Sequence, residues 1–184
     1  MGRGSGAESG EHLCSRSRER NQWVRFHTLP ASKRYPETES EYEVIVGRDN
    51  TVLAELAGDS GVLVVTPGYS DRPEPQGQAR SAETVAAHPG ASYWTSVCID
   101  DDPGFESYVH LYVSQMDWST GCVDPLLRLV ADDVIANVLL ADAGLRWLYH
   151  PYDGGMDLIM SSAFERDALK VRHRDWLSAH PAGL

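Results

Sequence analysis

A β-hairpin near the C-terminal end of the chain is the clearest structural signal in the sequence. An Asp-Gly pair at positions 153–154 lies between two apolar runs, and such a pair favours a two-residue turn because its residues tolerate positive φ. With this turn, Leu148 faces Ile159 and His150 faces Asp157, so apolar side chains meet apolar ones. A turn placed one residue later would lose this matching. We therefore predict the first register.

The predicted register divides the side chains of the hairpin between two faces. One face carries five large apolar residues, Trp147, Tyr149, Met156, Leu158 and Met160. The other face carries Leu148 and Ile159, and it ends in the pair of His150 and Asp157 near the tip. Because both faces are apolar, we expect the hairpin to lie centrally in a sheet that is covered on both sides.

The composition indicates one globular domain. The chain has 184 residues, of which 42% are hydrophobic and 23% are charged, and a chain of this length builds a core without disulfides or metals. No apolar run approaches the roughly 20 residues that cross a bilayer, so we predict no membrane association. The three cysteines lack Cys-x-x-Cys spacing, and the N-terminus lacks the apolar stretch of a signal peptide. We therefore expect a cytoplasmic protein.

The net charge of -11 is unevenly distributed. Residues 1–36 hold seven basic and three acidic side chains, a balance of +4, so residues 37–184 carry -15. An acidic body repels phosphates, which argues against a nucleic-acid partner. Residues 1–21 contain almost no apolar side chains, and we predict that they form a disordered basic tail.

Residues 22–184 form the predicted domain. A capping box at Thr38 and Glu41 begins a helix, and a β-branched strand follows it. Residues 67–90 are rich in proline and polar side chains, which predicts a flexible loop with room for a short helix at 81–88. The resulting order is β-α-β-loop-β-β-α-β-β-β-α. Short turns between successive strands predict an antiparallel or mixed sheet with about three helices packed on it, so the fold class is α+β.

The sequence contains no complete motif for catalysis or for a cofactor. No glycine-rich phosphate loop follows a strand, and no Gly-x-Ser-x-Gly elbow is present. The three aspartates at 100–102 precede Pro-Gly, which is typical of a turn, and no calcium-loop pattern follows them. We assign no catalytic residue and predict neither a metal site nor a cofactor.

The candidate binding residues lie at the hairpin tip and on the first predicted strand. They are His150, Tyr152, Asp153, Asp157, Arg25 and His27. In the predicted register His150 lies within hydrogen-bonding reach of Asp157, and an imidazole oriented by a carboxylate serves as a general base or a metal ligand. The alternative is a structural polar pair at the edge of the sheet, with Asp153 making the turn. The sequence leaves open whether His27, His110 and His150 converge.

Part of the sequence resembles a known family. The run Tyr149–Ile159, followed by a helix that contains Asp175-Trp176-Leu177, is similar to the C-terminal signature of the bacterial domain-of-unknown-function family 3885. Residues 145–178 carry this resemblance, and residues 23–66 carry a looser one. The resemblance implies a compact bacterial cytosolic α+β domain, and it brings no established activity.

These observations favour a non-catalytic protein that acts by binding. Small acidic inhibitor and immunity proteins have this size and charge, and by analogy we expect a protein partner near the hairpin tip. The alternative is a metal-assisted hydrolase that uses His150, Asp153 and Asp157. The oligomeric state stays open.

Overall fold

The computed structural model describes residues 21–58, 61–77, 79–100, 102, 104 and 106–178. Seven strands and four α-helices lie within these ranges. They are β1 Trp23–His27, α1 Glu39–Ala57, β2 Gly61–Ser70, α2 Ala82–Ala87, β3 Ser92–Asp100, β4 Ser107–Asp117, α3 Asp124–Ala131, β5 Leu139–Asp142, β6 Trp147–Tyr152, β7 Gly155–Met160 and α4 Ala163–Arg172. Short 3-10 turns span Pro30–Ser32 and Arg174–Trp176.

The strands form one antiparallel sheet in the order β1-β7-β6-β5-β2-β4-β3. The predicted α+β class and element order are confirmed, and the short helix predicted at 81–88 in the long loop is present as α2. The loop begins later than predicted because β2 continues through Pro67 to Ser70. Strand β5 pairs with β2 only over residues 62–65, so the proline lies where β2 has a free side, which is where a strand tolerates it.

Helix α1 begins and ends where its sequence predicts. The hydroxyl of Thr38 accepts a hydrogen bond from the backbone N–H of Glu41, and the carboxylate of Glu41 accepts one from the N–H of Glu37. Gly58 ends the helix with a positive φ of 54°, a conformation that glycine adopts without strain.

The helices pack on one face of the sheet. Most of the buried apolar residues of α1, α3 and α4 form one cluster with inward residues of the strands, among them Phe26, Val64, Tyr149 and Leu158. Helix α2 joins the same side, where His88 at its C-terminal end hydrogen-bonds Thr66 of β2. The core therefore lies between the four helices and this face, which we call the covered face.

The hairpin register is confirmed, but its predicted double cover is wrong. Strands β6 and β7 pair Leu148 with Ile159 and His150 with Asp157, and β1 and β5 flank them. The five large apolar residues on the covered side are buried. Leu148 and Ile159 are only half-buried, because no described helix crosses their side of the sheet. A sequence pattern with apolar residues on both faces of a strand is the same whether the second face is covered by helices or left open, so it could not decide between the two.

We call this second side the open face. It consists of the outward side chains of the seven strands, as the strand registers assign them. Its large apolar members are half-buried or exposed. They are Trp23, Leu63, Val65, Val97, Val109, Leu111, Val113, Leu139, Leu148 and Ile159.

Two further sequence predictions concern a disordered N-terminal tail and the absence of a membrane-spanning segment. The predicted tail 1–21 lies outside the described residues except for Asn21. Among the residues that the structure describes, no helix has the length and apolar character to span a bilayer.

Candidate functional site

Arg25 and Asp157 form an ion pair on the open face. They lie directly opposite each other on β1 and β7. The Nε and Nη2 atoms of Arg25 donate to the two carboxylate oxygens of Asp157 over 2.7 and 2.8 Å. The guanidinium also lies 5.2 Å from the ring centre of Trp23 and 5.1 Å from that of Tyr152, within the range of cation–π attraction. The hydrogen bond to Asp157 raises the pKa of Arg25.

A second arginine holds the tip of the hairpin. Arg34 donates from Nε to Asp153 over 2.6 Å and from Nη2 over 3.1 Å. Burial raises the pKa of Asp153, but hydrogen bonds from Arg34 and Tyr35 outweigh burial and leave the pKa below its ordinary value. Gly154 adopts a φ of 103°, and a Cβ there would lie 3.1 Å from the Cα of Arg34, so the turn needs glycine for both reasons.

A cavity of about 190 Å³, here called the tip cavity, lies between these two ion pairs. Its lining includes His27, Ser32 and Tyr152 as well as both arginines. The Nε2 atom of His27 is buried and has no hydrogen-bond partner among the described residues. Burial raises the pKa of Tyr152 to about 12, which keeps its hydroxyl protonated at neutral pH.

A wider depression of about 420 Å³, here called the groove, lies on the open face beside the Arg25–Asp157 pair. Four apolar side chains and three polar ones line it, namely Trp23, Leu139, Leu148, Ile159, Asn137, His150 and Asp157. Burial lowers the pKa of His150, although Asp157 acts in the opposite direction. The imidazole is therefore mainly neutral at neutral pH, and the groove is an apolar surface with few polar groups.

The structure brings all six candidate residues to one end of the open face, but it divides them between two cavities. His150 and Asp157 line the groove, whereas Arg25, His27, Tyr152 and Asp153 line the tip cavity. Tyr152 connects the two, since its ring lies 6.3 Å from that of His150 and close to Arg25.

The structure corrects one detail of the predicted site and answers one question that the sequence left open. The carboxylate of Asp157 is hydrogen-bonded by Arg25 and not by His150, because β1 supplies a guanidinium that chelates both oxygens. His110 does not join the site. It is fully buried on the covered side, where its ring nitrogens contact Ser70 and Ser96 over 2.8 and 2.6 Å.

The carboxylates at the tip are poorly arranged for a metal ion. Asp153 and Asp157 each bind an arginine through both oxygens, so a positive charge already occupies the position that a cation would take. Within the described residues, no three His, Cys, Asp or Glu side chains are placed to hold a metal.

The main polar group that sequence reasoning did not single out lies on the covered face. Asp49 of α1 is almost fully buried, and it accepts a 2.5 Å hydrogen bond from the hydroxyl of Tyr149. Burial raises the pKa of Asp49 to about 7, even though this hydrogen bond acts in the opposite direction. The signal in the sequence was an aspartate at a core position of an amphipathic helix. Arg34 gave no such signal, because 119 positions separate it from Asp153.

Comparison with protein families identifies the chain. It matches the family described as Domain of unknown function (DUF3885) over residues 12–181. The chain belongs to this family. No curated protein and no solved structure matches it significantly. The resemblance noted in the sequence is thus confirmed, and the match extends over most of the chain.

The motif residues that resemble the DUF3885 signature mostly build the covered face and the hairpin tip. Tyr149 binds the buried Asp49. Trp176 stacks on His173 with ring centres 4.4 Å apart, and the guanidinium of Arg48 lies 5.0 Å from its ring centre. Arg48 in turn donates to the backbone carbonyl of His27 over 2.8 Å, which ties helix α1 to the end of β1. This part of the resemblance therefore has a structural explanation.

Proposed function

We propose that the protein is a non-catalytic binding protein whose open face docks a protein partner, with the groove at the centre of the contact. The observation that carries this proposal is a seven-stranded sheet with one side covered by helices and an apolar second side. Monomeric proteins rarely leave a contiguous apolar area of more than a few hundred Å² in water, and larger areas mark interaction sites.

The composition of the groove supports a protein contact. Trp23, Leu148 and Ile159 provide aromatic and aliphatic surface, which is the kind of surface found at the centre of interfaces. The Arg25–Asp157 pair is already neutralised within the chain, so a partner can cover it without leaving an isolated charge.

A photo-crosslinking amino acid at position 148 tests the proposal in cells that express the full chain. We expect one predominant crosslinked polypeptide, which an added Ile159→Glu substitution on the groove abolishes. The same amino acid at position 171, an exposed site on α4, is the matched control and should give no such product. The captured polypeptide is then purified, and calorimetry measures its binding to the unmodified chain. The proposal fails if position 148 gives no discrete product, or if Ile159→Glu leaves that product unchanged.

The alternative function is a metal-assisted hydrolase that uses His150, Asp153 and Asp157. The two arginine pairs and the separation of these residues between the groove and the tip cavity count against it. A thermal-shift series with Zn²⁺, Mn²⁺ and Mg²⁺ on the wild type and on His150→Ala separates the two functions. A rise in Tm that depends on metal and is lost in His150→Ala would favour the hydrolase.

A further inference from the structure

We infer that the partner on the open face is a second copy of this chain, so that two sheets stack through their open faces in an isologous dimer. This inference rests on the proposed function and names the occupant of the same surface. Three observations carry it: the charge of the face, its area and the composition of residues 1–20.

The charge of the open face suits a contact with itself. In an isologous dimer each patch meets the same patch of the other copy, so any net charge would meet its like and repel it. The chain carries -11, yet Arg25 and Asp157 neutralise each other on the open face. Asp100 and Asp117 add charges only at the ends of β3 and β4. A basic partner would instead bind a surface with a net negative charge, and most acidic side chains of the chain lie outside the open face.

The area of the face is also that of a stable dimer contact. Seven strands spaced by about 4.8 Å span about 34 Å, and a mean strand length of about seven residues gives a depth of about 24 Å. The projected area of about 800 Å² is close to what each partner buries in a standard protein interface. Two sheets stacked about 10 Å apart interdigitate their apolar side chains, as in a β-sandwich.

The N-terminal segment of the chain is a poor alternative occupant. The sequence of residues 1–20 contains Leu13 as its single branched aliphatic side chain, and it is rich in Gly, Ser, Arg and Glu. Such a segment supplies too little apolar surface to cover a face of this size.

The molar mass of the full chain in solution tests the inference. Light scattering during size-exclusion chromatography at about 1 to 100 µM should give twice the chain mass of 20.3 kDa. Leu148→Glu and Ile159→Glu each place a charge in the contact, and we expect each to weaken dimerisation at least about 100-fold. Val113→Glu on β4 tests the far half of the face in the same way. Val171→Glu, on the exposed side of α4, should stay dimeric.

We expect each variant to fold, because the substituted side chains lie outside the buried core. Thermal melting followed by circular dichroism checks this for each variant. A wild type that is monomeric at about 100 µM overturns the inference, as does a dimer that all three open-face variants leave intact. If the wild type is monomeric and position 148 still crosslinks a different polypeptide, the dimer is wrong and the binding function stands. If neither contact is found, both are wrong.

Discussion

The covered face and the open face of the sheet are built from the same strands but have different surroundings. On β7, Leu158 points into the core and has no exposed surface, whereas its neighbour Ile159 lines the groove and is half-buried. Both are large aliphatic residues in the middle of a paired strand. The difference between them comes from the helices, which cover one side of the sheet and, within the described residues, leave the other side without a helix.

Polar groups show the same contrast, because those on the covered face are buried and those on the open face are partly exposed. The covered face buries the carboxylate of Asp49 with the hydroxyl of Tyr149 as its donor, and the pKa of Asp49 rises to about 7. The open face holds Asp157 against Arg25, with about a quarter of each side chain exposed. The comparison teaches that the covered face holds its polar groups in the core, whereas the polar groups of the open face stay in contact with solvent.

The largest expected effect is a difference in the free energy of unfolding between substitutions at two adjacent residues of β7. Leu158→Ala should lower the free energy of unfolding by about 2–5 kcal/mol, because it removes buried methyl groups and leaves a cavity. Ile159→Ala should lower it by about 1 kcal/mol when measured on the monomer, since the side chain is already partly in water. Urea denaturation at low protein concentration measures both. Equal losses for the two variants would break the comparison by showing that the open face is covered.

The second effect is the pH dependence of Asp49. Its pKa is about 7 in the folded protein against an ordinary 3.8, so between these values the folded state holds a proton that the unfolded state releases. Stability therefore falls as the pH rises from about 4 to about 7, and it is level above that range. Asp49→Asn removes this loss, and its amide oxygen still accepts from Tyr149.

We expect Asp49→Asn to be more stable than the wild type by roughly 1–3 kcal/mol at pH 8, with the difference shrinking towards pH 4. Urea denaturation of both proteins at pH 5 and at pH 8 measures it. A difference that stays constant with pH would mean that Asp49 ionises normally.

The third effect concerns the tight packing around Gly155, at the hairpin tip. A Cβ on Gly155 would clash with the hydroxyl of Tyr152 and lie 2.7 Å from the backbone carbonyl of Phe26. Gly155→Ala should lower the free energy of unfolding by about 1–2 kcal/mol, as overpacking does. Gly47→Ala in α1 is the matched control, because nothing lies within 4 Å of its Cβ position. The control should raise stability by about 0.5–1 kcal/mol through helix propensity. Thermal melting that shifts both variants in the same direction would contradict this packing.

The smallest expected effect concerns the ion pair on the open face. Arg25→Gln should cost no more than about 1 kcal/mol of monomer stability, because solvent screens a pair that is about a quarter exposed. A double-mutant cycle with Asp157→Asn, at low and at high salt, isolates the interaction energy. A coupling of several kcal/mol would show that the pair is shielded from water and that the open face is misassigned.

Local signals in the sequence predicted much of the fold. The Asp-Gly turn and the matching of Leu148 with Ile159 gave the correct hairpin register, since both act within a few residues. Thr38 and Glu41 placed the start of α1 for the same reason. The candidate residues at the tip proved to be neighbours, because four of the six lie on β6, on β7 or in the turn between them, and the other two lie on β1, which pairs with β7.

The rest depended on contacts between distant parts of the chain. Arg25 takes the carboxylate of Asp157 away from His150 across 132 positions, and no local pattern encodes that choice. The open face could not be predicted either, because Leu148 and Ile159 have the same apolar pattern under a second helical layer as on a docking surface. Only the placement of all four helices on one side distinguishes these two cases.

Hydroxyl-radical footprinting of the full chain at two concentrations tests the contrast between the faces most directly. Below the dimer dissociation range, we predict oxidation of Leu148 and Ile159 and protection of Tyr149 and Leu158. At about 100 µM, Leu148 and Ile159 should become protected, while the exposed Val171 stays reactive. Protection of Leu148 and Ile159 at every concentration would contradict an open face, and oxidation at every concentration would contradict its occupation by a second copy.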